Sequence, residues 1–221
     1  VSFDFRYPTP LPSTKGWGPG WPDCQREAIV TVPPFVGGFH RDIAELMGLL
    51  VAEMRRRGFV FLEPGCWGFG CRATKGGGGD IPSFHSWGLA PDINAPLNVF
   101  GADESTSEIA TQQRWVVPLM ASYGFFWLGP AIRDWMHFSF VGSPQDAAAM
   151  TVKARRELGD VGYAEFEKGL RLSRQGKPLP TDATADTRLG YDLVRDIKRA
   201  AATPEPGVPS PHEHNLEGKA K

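Results

Sequence analysis

The sequence has no run of 18 or more apolar residues, so nothing in it reads as a membrane-spanning helix. Neither sign of charge is in excess. The 24 Lys and Arg residues against 25 Asp and Glu give a formal net charge of -1. A balance of that kind exerts no global pull toward nucleic acid or an anionic membrane. Cysteine is scarce, with only Cys24, Cys66 and Cys71, and an odd, small number does not make a disulfide framework. Either Cys66 and Cys71 pair, or the thiols stay free in a chain folded in a reducing compartment. As a metal site those two thiolates are incomplete. The opening VSFDFRYPTPLPSTKG has no basic segment followed by an apolar core, so it does not read as a secretory signal. No internal repeat is present.

Glycine and proline, by contrast, are abundant at 26 and 20 residues. They argue for a loop-rich domain rather than a helical bundle. A chain of 221 residues with 41% hydrophobic content is long enough for one ordinary domain and an appendage. Residues 1–22 read as an extended arm over the domain surface. Val30 to Val36 reads as a strand. Ile43, Met47, Leu50, Val51 and Met54 recur at helical spacing, which predicts a helix over about 39–57 with Arg41, Glu45 and Glu53 on the polar side. Phe59 to Leu62, Phe125 to Leu128 and His137 to Val141 read as strands. Residues 108–124 read as one helix despite Pro118. Helices are also expected over 146–158 and 185–202, followed by a Pro-rich disordered tail at 203–221. The division expected is a compact domain at 1–145, a helical appendage at 146–202 and the tail.

Two segments carry chemistry. The first is Ser83-Phe84-His85-Ser86-Trp87-Gly88-Leu89-Ala90-Pro91-Asp92, and the second is Asp134-Trp135-Met136-His137. Together they supply two imidazoles and two carboxylates. Catalytic zinc typically takes three protein ligands and keeps one open position. Two histidines and one carboxylate make such a set and leave the second carboxylate free as a base. Gly88 and Ala90 are small enough to let the chain turn close to a metal. Residues three apart on a strand face opposite ways, so Asp134 is expected in the loop before the strand that His137 begins. Other motifs fail on inspection. KGGGGD at 75–80 lacks the Gly-Lys-Ser/Thr of a phosphate loop. No G-x-S-x-G turn supports a serine nucleophile. His212 and His214 form an H-x-H to which no function is assigned.

The string SFHSWGLAPDIN, followed by GFFWLGPAIRDWMHF, resembles the zinc D-Ala-D-Ala carboxypeptidase and L-alanyl-D-glutamate endopeptidase family. That family shares its fold with the lysostaphin and hedgehog-like proteins. Its signature, S-x-H-x-x-G-x-A-x-D and then D/E-x-x-H, is filled by Ser83, His85, Gly88, Ala90, Asp92, Asp134 and His137. The resemblance covers about residues 16–145. GWPDC at 20–24 and the helix near 39–57 look like actinobacteriophage endolysin versions.

The resemblance implies an α+β fold with a small antiparallel sheet and flanking helices. It implies one zinc ion per chain held by His85, Asp92 and His137, with Asp134 as general base and then acid. Arg72 is the candidate for stabilising an oxyanion or holding substrate, and Ser83 and Trp127 are candidates for binding it. Trp67, Trp87, Trp127 and Trp135 are expected to wall the groove or to pack the core. Leu128 stands where the family usually has a glycine, and Asp134 where it often has Glu.

The implied partner is peptidoglycan, with no nucleic acid and no membrane. The implied setting is synthesis in a bacterial host cytoplasm and action on the cell wall, or a place in a virion. The alternatives are a host D,D- or L,D-carboxypeptidase, a phage-tail module and a non-catalytic zinc-containing wall-binding module. The retained base, Asp134, weighs against the last of these.

Overall fold

The computed structural model describes residues 10–74, 81–158 and 161–184, with 187–188, 190–192 and 195 beyond them. The KGGGGD segment and the tail at 203–221 lie outside these residues, as does most of the helix expected over 185–202. Two small antiparallel sheets and several helices make an α+β fold.

The apolar stretch from Val30 is a hairpin rather than one strand. β1 (Ile29–Val32) pairs with β2 (Phe35–His40) across Pro33-Pro34. β2 runs directly into α1 (Arg41–Arg56), where His40 caps the helix by accepting the Asp42 N–H at Nδ1, 3.3 Å away. The expected apolar stripe of α1 is buried, but Leu46 and Leu49 are buried as well. The helix is enclosed because the β1–β2 hairpin, α5 (Pro144–Glu157) and α6 (Val161–Arg174) all pack on it. Glu53, expected on the polar side, is therefore buried too. Arg56 and Arg57 donate to its carboxylate and keep it paired.

α5 begins with a reciprocal capping box between Ser143 and Asp146, with Pro144 in the first turn. Its Ala147 and Ala154 belong to the same core as α1.

Three sequence expectations change. Residues 108–124 form two short helices, α2 (Glu108–Thr111) and α3 (Val116–Ala121). The restart places Pro118 in the first turn of α3, where a missing N–H costs no hydrogen bond. Phe59 to Leu62 is not in a ladder. Phe59 N–H donates to Met54 C=O at 2.9 Å, and the Asn94 amide accepts from Leu62 N–H at 2.9 Å and donates to Val60 C=O at 2.8 Å. Finally, Cys66 and Cys71 do not pair, nor are all three cysteines free. Cys71 is bonded to Cys24, while Cys66 is a buried free thiol. Cys66 turns inward to Asn94, with Sγ 3.4 Å from Oδ1.

β3 (Phe125–Trp127) and β4 (Phe138–Phe140) form the second sheet, with α4 (Gly129–Ile132) between them. Single bridges continue the pairing sideways from Val36 to Trp67, from Trp67 to Asp92 and from Asp92 to His137. This run of bridges sets the backbones of Asp92 and His137 side by side.

The arm closes over the domain and is not only a surface feature. Trp17 is buried in the core, and its indole N–H donates to Gly142 C=O at 2.8 Å.

Candidate metal centre

His85 sits in a 3₁₀ turn, Phe84–Trp87. Ser83 caps that turn, its Oγ accepting from the His85 N–H, and the Ser86 hydroxyl donates back to Ser83 C=O at 2.7 Å. Gly88 ends the turn with φ 69°. A side chain there would bring its Cβ within 2.6 Å of the His40 backbone nitrogen, so the position requires glycine for both conformation and space.

Ring nitrogens of the two histidines are assigned by their partners. His85 Nδ1 faces the Gly68 carbonyl. A carbonyl only accepts, so Nδ1 carries the proton and Nε2 presents a lone pair. His137 uses the opposite arrangement. Its Nε2 lies 2.9 Å from Ser139 Oγ, and its Nδ1 lies 2.9 Å from Asp92 Oδ1. Asp92 Oδ2 is 3.2 Å from His85 Nε2.

The donor atoms of His85, Asp92 and His137 thus converge, all within 4.8 Å of one another. His85 Nε2 and His137 Nδ1 are 3.1 Å apart. A tetrahedral ion held about 2.0–2.1 Å from two nitrogens needs them about 3.3 Å apart. Two imidazoles and a carboxylate, each histidine braced through its other nitrogen, fit zinc by donor type and by supporting bonds.

Burial opposes ionisation of Asp92, but when the imidazoles of His85 and His137 are protonated their charges and hydrogen bonds overcome it and hold the carboxyl well below the usual carboxylate range.

Asp134 lies between α4 and β4, in the loop before the strand, and its carbonyl accepts from His137 N–H at 3.2 Å. Burial raises its carboxyl above the ordinary range. Asp92 pushes the same way, while His137, His85 and Arg72 oppose it.

The segment that bears Asp134 is braced. Trp127 Nε1–H donates to Trp135 C=O and Trp135 Nε1–H donates to Ala102 C=O, each at 2.9 Å. Arg133, just before it, adopts φ 57°, and its carbonyl is held by Gly101 N–H at 2.8 Å.

A cavity of about 110 Å³ opens onto these groups. Asp92, His137 and Asp134 line it with Arg72, Thr74 and Ser83, and Phe100, Leu128, Ile132 and Met136 supply apolar lining. The structure therefore brings together Arg72, Ser83, Asp92, Asp134 and His137, with His85 behind them. Trp127 is not in the lining. Its indole is buried against Trp135 and Phe138. Trp87 and Trp135 are likewise buried, and Trp67 is the exposed member of the four. Sequence reasoning missed Ser139 and the Gly68 carbonyl. Ser139 was within reach of it, since residues two apart on a strand share a face.

No curated protein and no solved structure matches the chain. Residues 76–140, which carry all three donors and Asp134, match the family model described as D-alanyl-D-alanine carboxypeptidase, and the match supports that peptidase family for this segment.

Proposed function

We propose that this protein is a zinc metallopeptidase that hydrolyses peptide bonds of bacterial peptidoglycan, with the role of a phage endolysin. The observation that carries the proposal is the convergence of His85, Asp92 and His137 at a cavity that also holds Asp134 and Arg72. The family match supports the substrate class. The endolysin role is supported by the likeness of GWPDC and of the α1 sequence to phage versions.

His85 Nε2, Asp92 and His137 Nδ1 would hold the metal. Bound there, zinc would supply Lewis acidity, polarising a peptide carbonyl and lowering the pKa of a water toward about 7. Asp134 accepts the proton of the attacking water and passes it to the leaving amine nitrogen. Arg72, in the wall of the same cavity, holds the substrate by donating to one of its oxygens. Ser83 orients His85 through the backbone and lends a polar wall. Phe100, Leu128, Ile132 and Met136 give the cavity an apolar wall against which the non-polar parts of a peptide can pack.

Digestion of purified peptidoglycan, with products identified by mass spectrometry, tests the proposal and names the bond. New amine termini are expected from the wild type and not from Asp134→Ala, which should still bind zinc. A terminal D-alanine as the released product would assign a carboxypeptidase rather than an endopeptidase. Unaltered cleavage by Asp134→Ala would remove Asp134 from the mechanism.

A further inference from the structure

Arg72 is the one Lys or Arg among the described residues lining the cavity. Its guanidinium makes a long hydrogen bond, 3.4 Å, to the carbonyl of the next residue, Ala73. A side chain held so loosely takes its position from its backbone. On one side that backbone is fixed to the histidine motif, since Arg72 C=O accepts from Ser83 N–H at 3.1 Å. On the other side stand Gly70, whose N–H donates to His85 C=O at 3.1 Å, and, next to Arg72 itself, Cys71, bonded to Cys24 across 47 residues of sequence.

Cys24 belongs to an arm that is anchored elsewhere. Trp17 is buried with its indole on Gly142, Gln25 Nε2 donates to Trp17 C=O at 2.8 Å, and the Arg26 guanidinium lies over the Phe69 ring. The metal donors are held by different bonds, from Gly68, Ser139 and the bridges at Asp92.

We propose that the Cys24–Cys71 disulfide positions Arg72 at the cavity, so that substrate binding depends on the redox state of this pair. The proposal rests on the peptidase function above. Both cysteines are half-buried, within reach of a reductant. Reduction by a water-soluble phosphine cleaves the S–S bond. The phosphine is oxidised to its oxide, taking oxygen from one water, and two thiols form. The arm is then free of Cys71, and the backbone before Arg72 keeps as its nearest hold the Gly70 N–H bond to His85 C=O, two residues away. Reducing compartments keep such thiols open, so full substrate affinity is reached where they are oxidised.

The test measures rates of amine release from muramidase-solubilised peptidoglycan, at varied concentration, for the oxidised, phosphine-reduced and Cys24→Ser proteins. A phosphine avoids the zinc competition of a dithiol. KM is expected to rise about tenfold on reduction and in Cys24→Ser, the loss of one charge-assisted contact. Bound zinc should stay at the oxidised level, and kcat should change less than KM. Arg72→Ala should show a similar KM when oxidised and no further rise on reduction, since the two changes act through one group.

Three results would overturn the proposal. They are an unchanged KM on reduction, a loss of zinc in step with activity, and a reduced protein that unfolds below the assay temperature. The last two would make the bond a brace for the metal site or for the fold. Failure of the peptidase function itself is separate, because the oxidised wild type would then release no amine at any concentration.

Discussion

Ser139 decides which nitrogen of His137 faces the other donors. With its Oγ 2.9 Å from Nε2, the imidazole presents Nδ1 to Asp92 and His85. Ser139→Ala is expected to weaken zinc binding about 10–100-fold, the usual worth of a residue that orients a ligand. Competition against a chromophoric chelator measures this, and an unchanged affinity would mean that packing alone orients the ring. Cys66 makes a second prediction. Burial pushes its thiol up to about 11, so it should resist alkylation at neutral pH until the protein unfolds. Alkylation of the native protein at the rate of a free thiol would contradict this. The sequence made His85, Asp92, Asp134 and His137 legible because few residue types carry such chemistry and their spacing is distinctive. Ser139 and the Gly68 carbonyl were not legible, since serine is common and a backbone carbonyl has no letter of its own.

At the scale of elements, short segments are joined by side chains rather than by long ladders. Asn94 is the clearest case. It sits at φ 45° with no exposed surface, accepts from Leu62 N–H, donates to Val60 C=O and Glu108, and meets Cys66. Four residues on, Asn98 accepts from Ser107 and Ile109 and donates to the carbonyls of Ile93 and Asn94. These amides connect the segment after Asp92 to α2 and to the chain leaving α1. Asn94→Ala is expected to cost about 3–5 kcal/mol, because each buried backbone group left unpaired costs about 1–3 kcal/mol. Denaturant unfolding measures it, and a loss under about 1 kcal/mol would show that water replaces the amide. Periodicity found α1 because its apolar positions repeat over sixteen residues. It failed at Phe59 to Leu62, where an apolar run resembles a strand but its hydrogen bonds go to a side chain far along the chain. It also failed across residues 108–124, where apolar content continues through the point at which Pro118 forces a restart.

Across the whole molecule, α1 is the common support. The hairpin, α5 and α6 pack on it, and Glu53 is the carboxylate it buries. Burial raises the pKa of Glu53, but hydrogen bonds and charge from Arg56 and Arg57 outweigh it and leave the group below its ordinary value of 4.5. A depressed folded pKa means that this stabilisation is fully present above about 4.5 and is lost as pH falls through the lower folded value. Glu53→Gln should therefore destabilise the protein at pH 7 by on the order of 1–3 kcal/mol, with the difference from wild type shrinking at pH 3. An equal difference at both values would mean that the charge of Glu53 contributes nothing.

The central claim is that one zinc ion at His85, Asp92 and His137 drives peptide hydrolysis. Titration of zinc into chelator-stripped, oxidised protein, with amine release from peptidoglycan followed at each addition, tests it most directly. Activity is predicted to be absent at the start and to reach its plateau at about one equivalent, the count set by one three-ligand site. Cleavage that persists without metal would contradict the claim, and so would one equivalent of zinc bound tightly with no amine released.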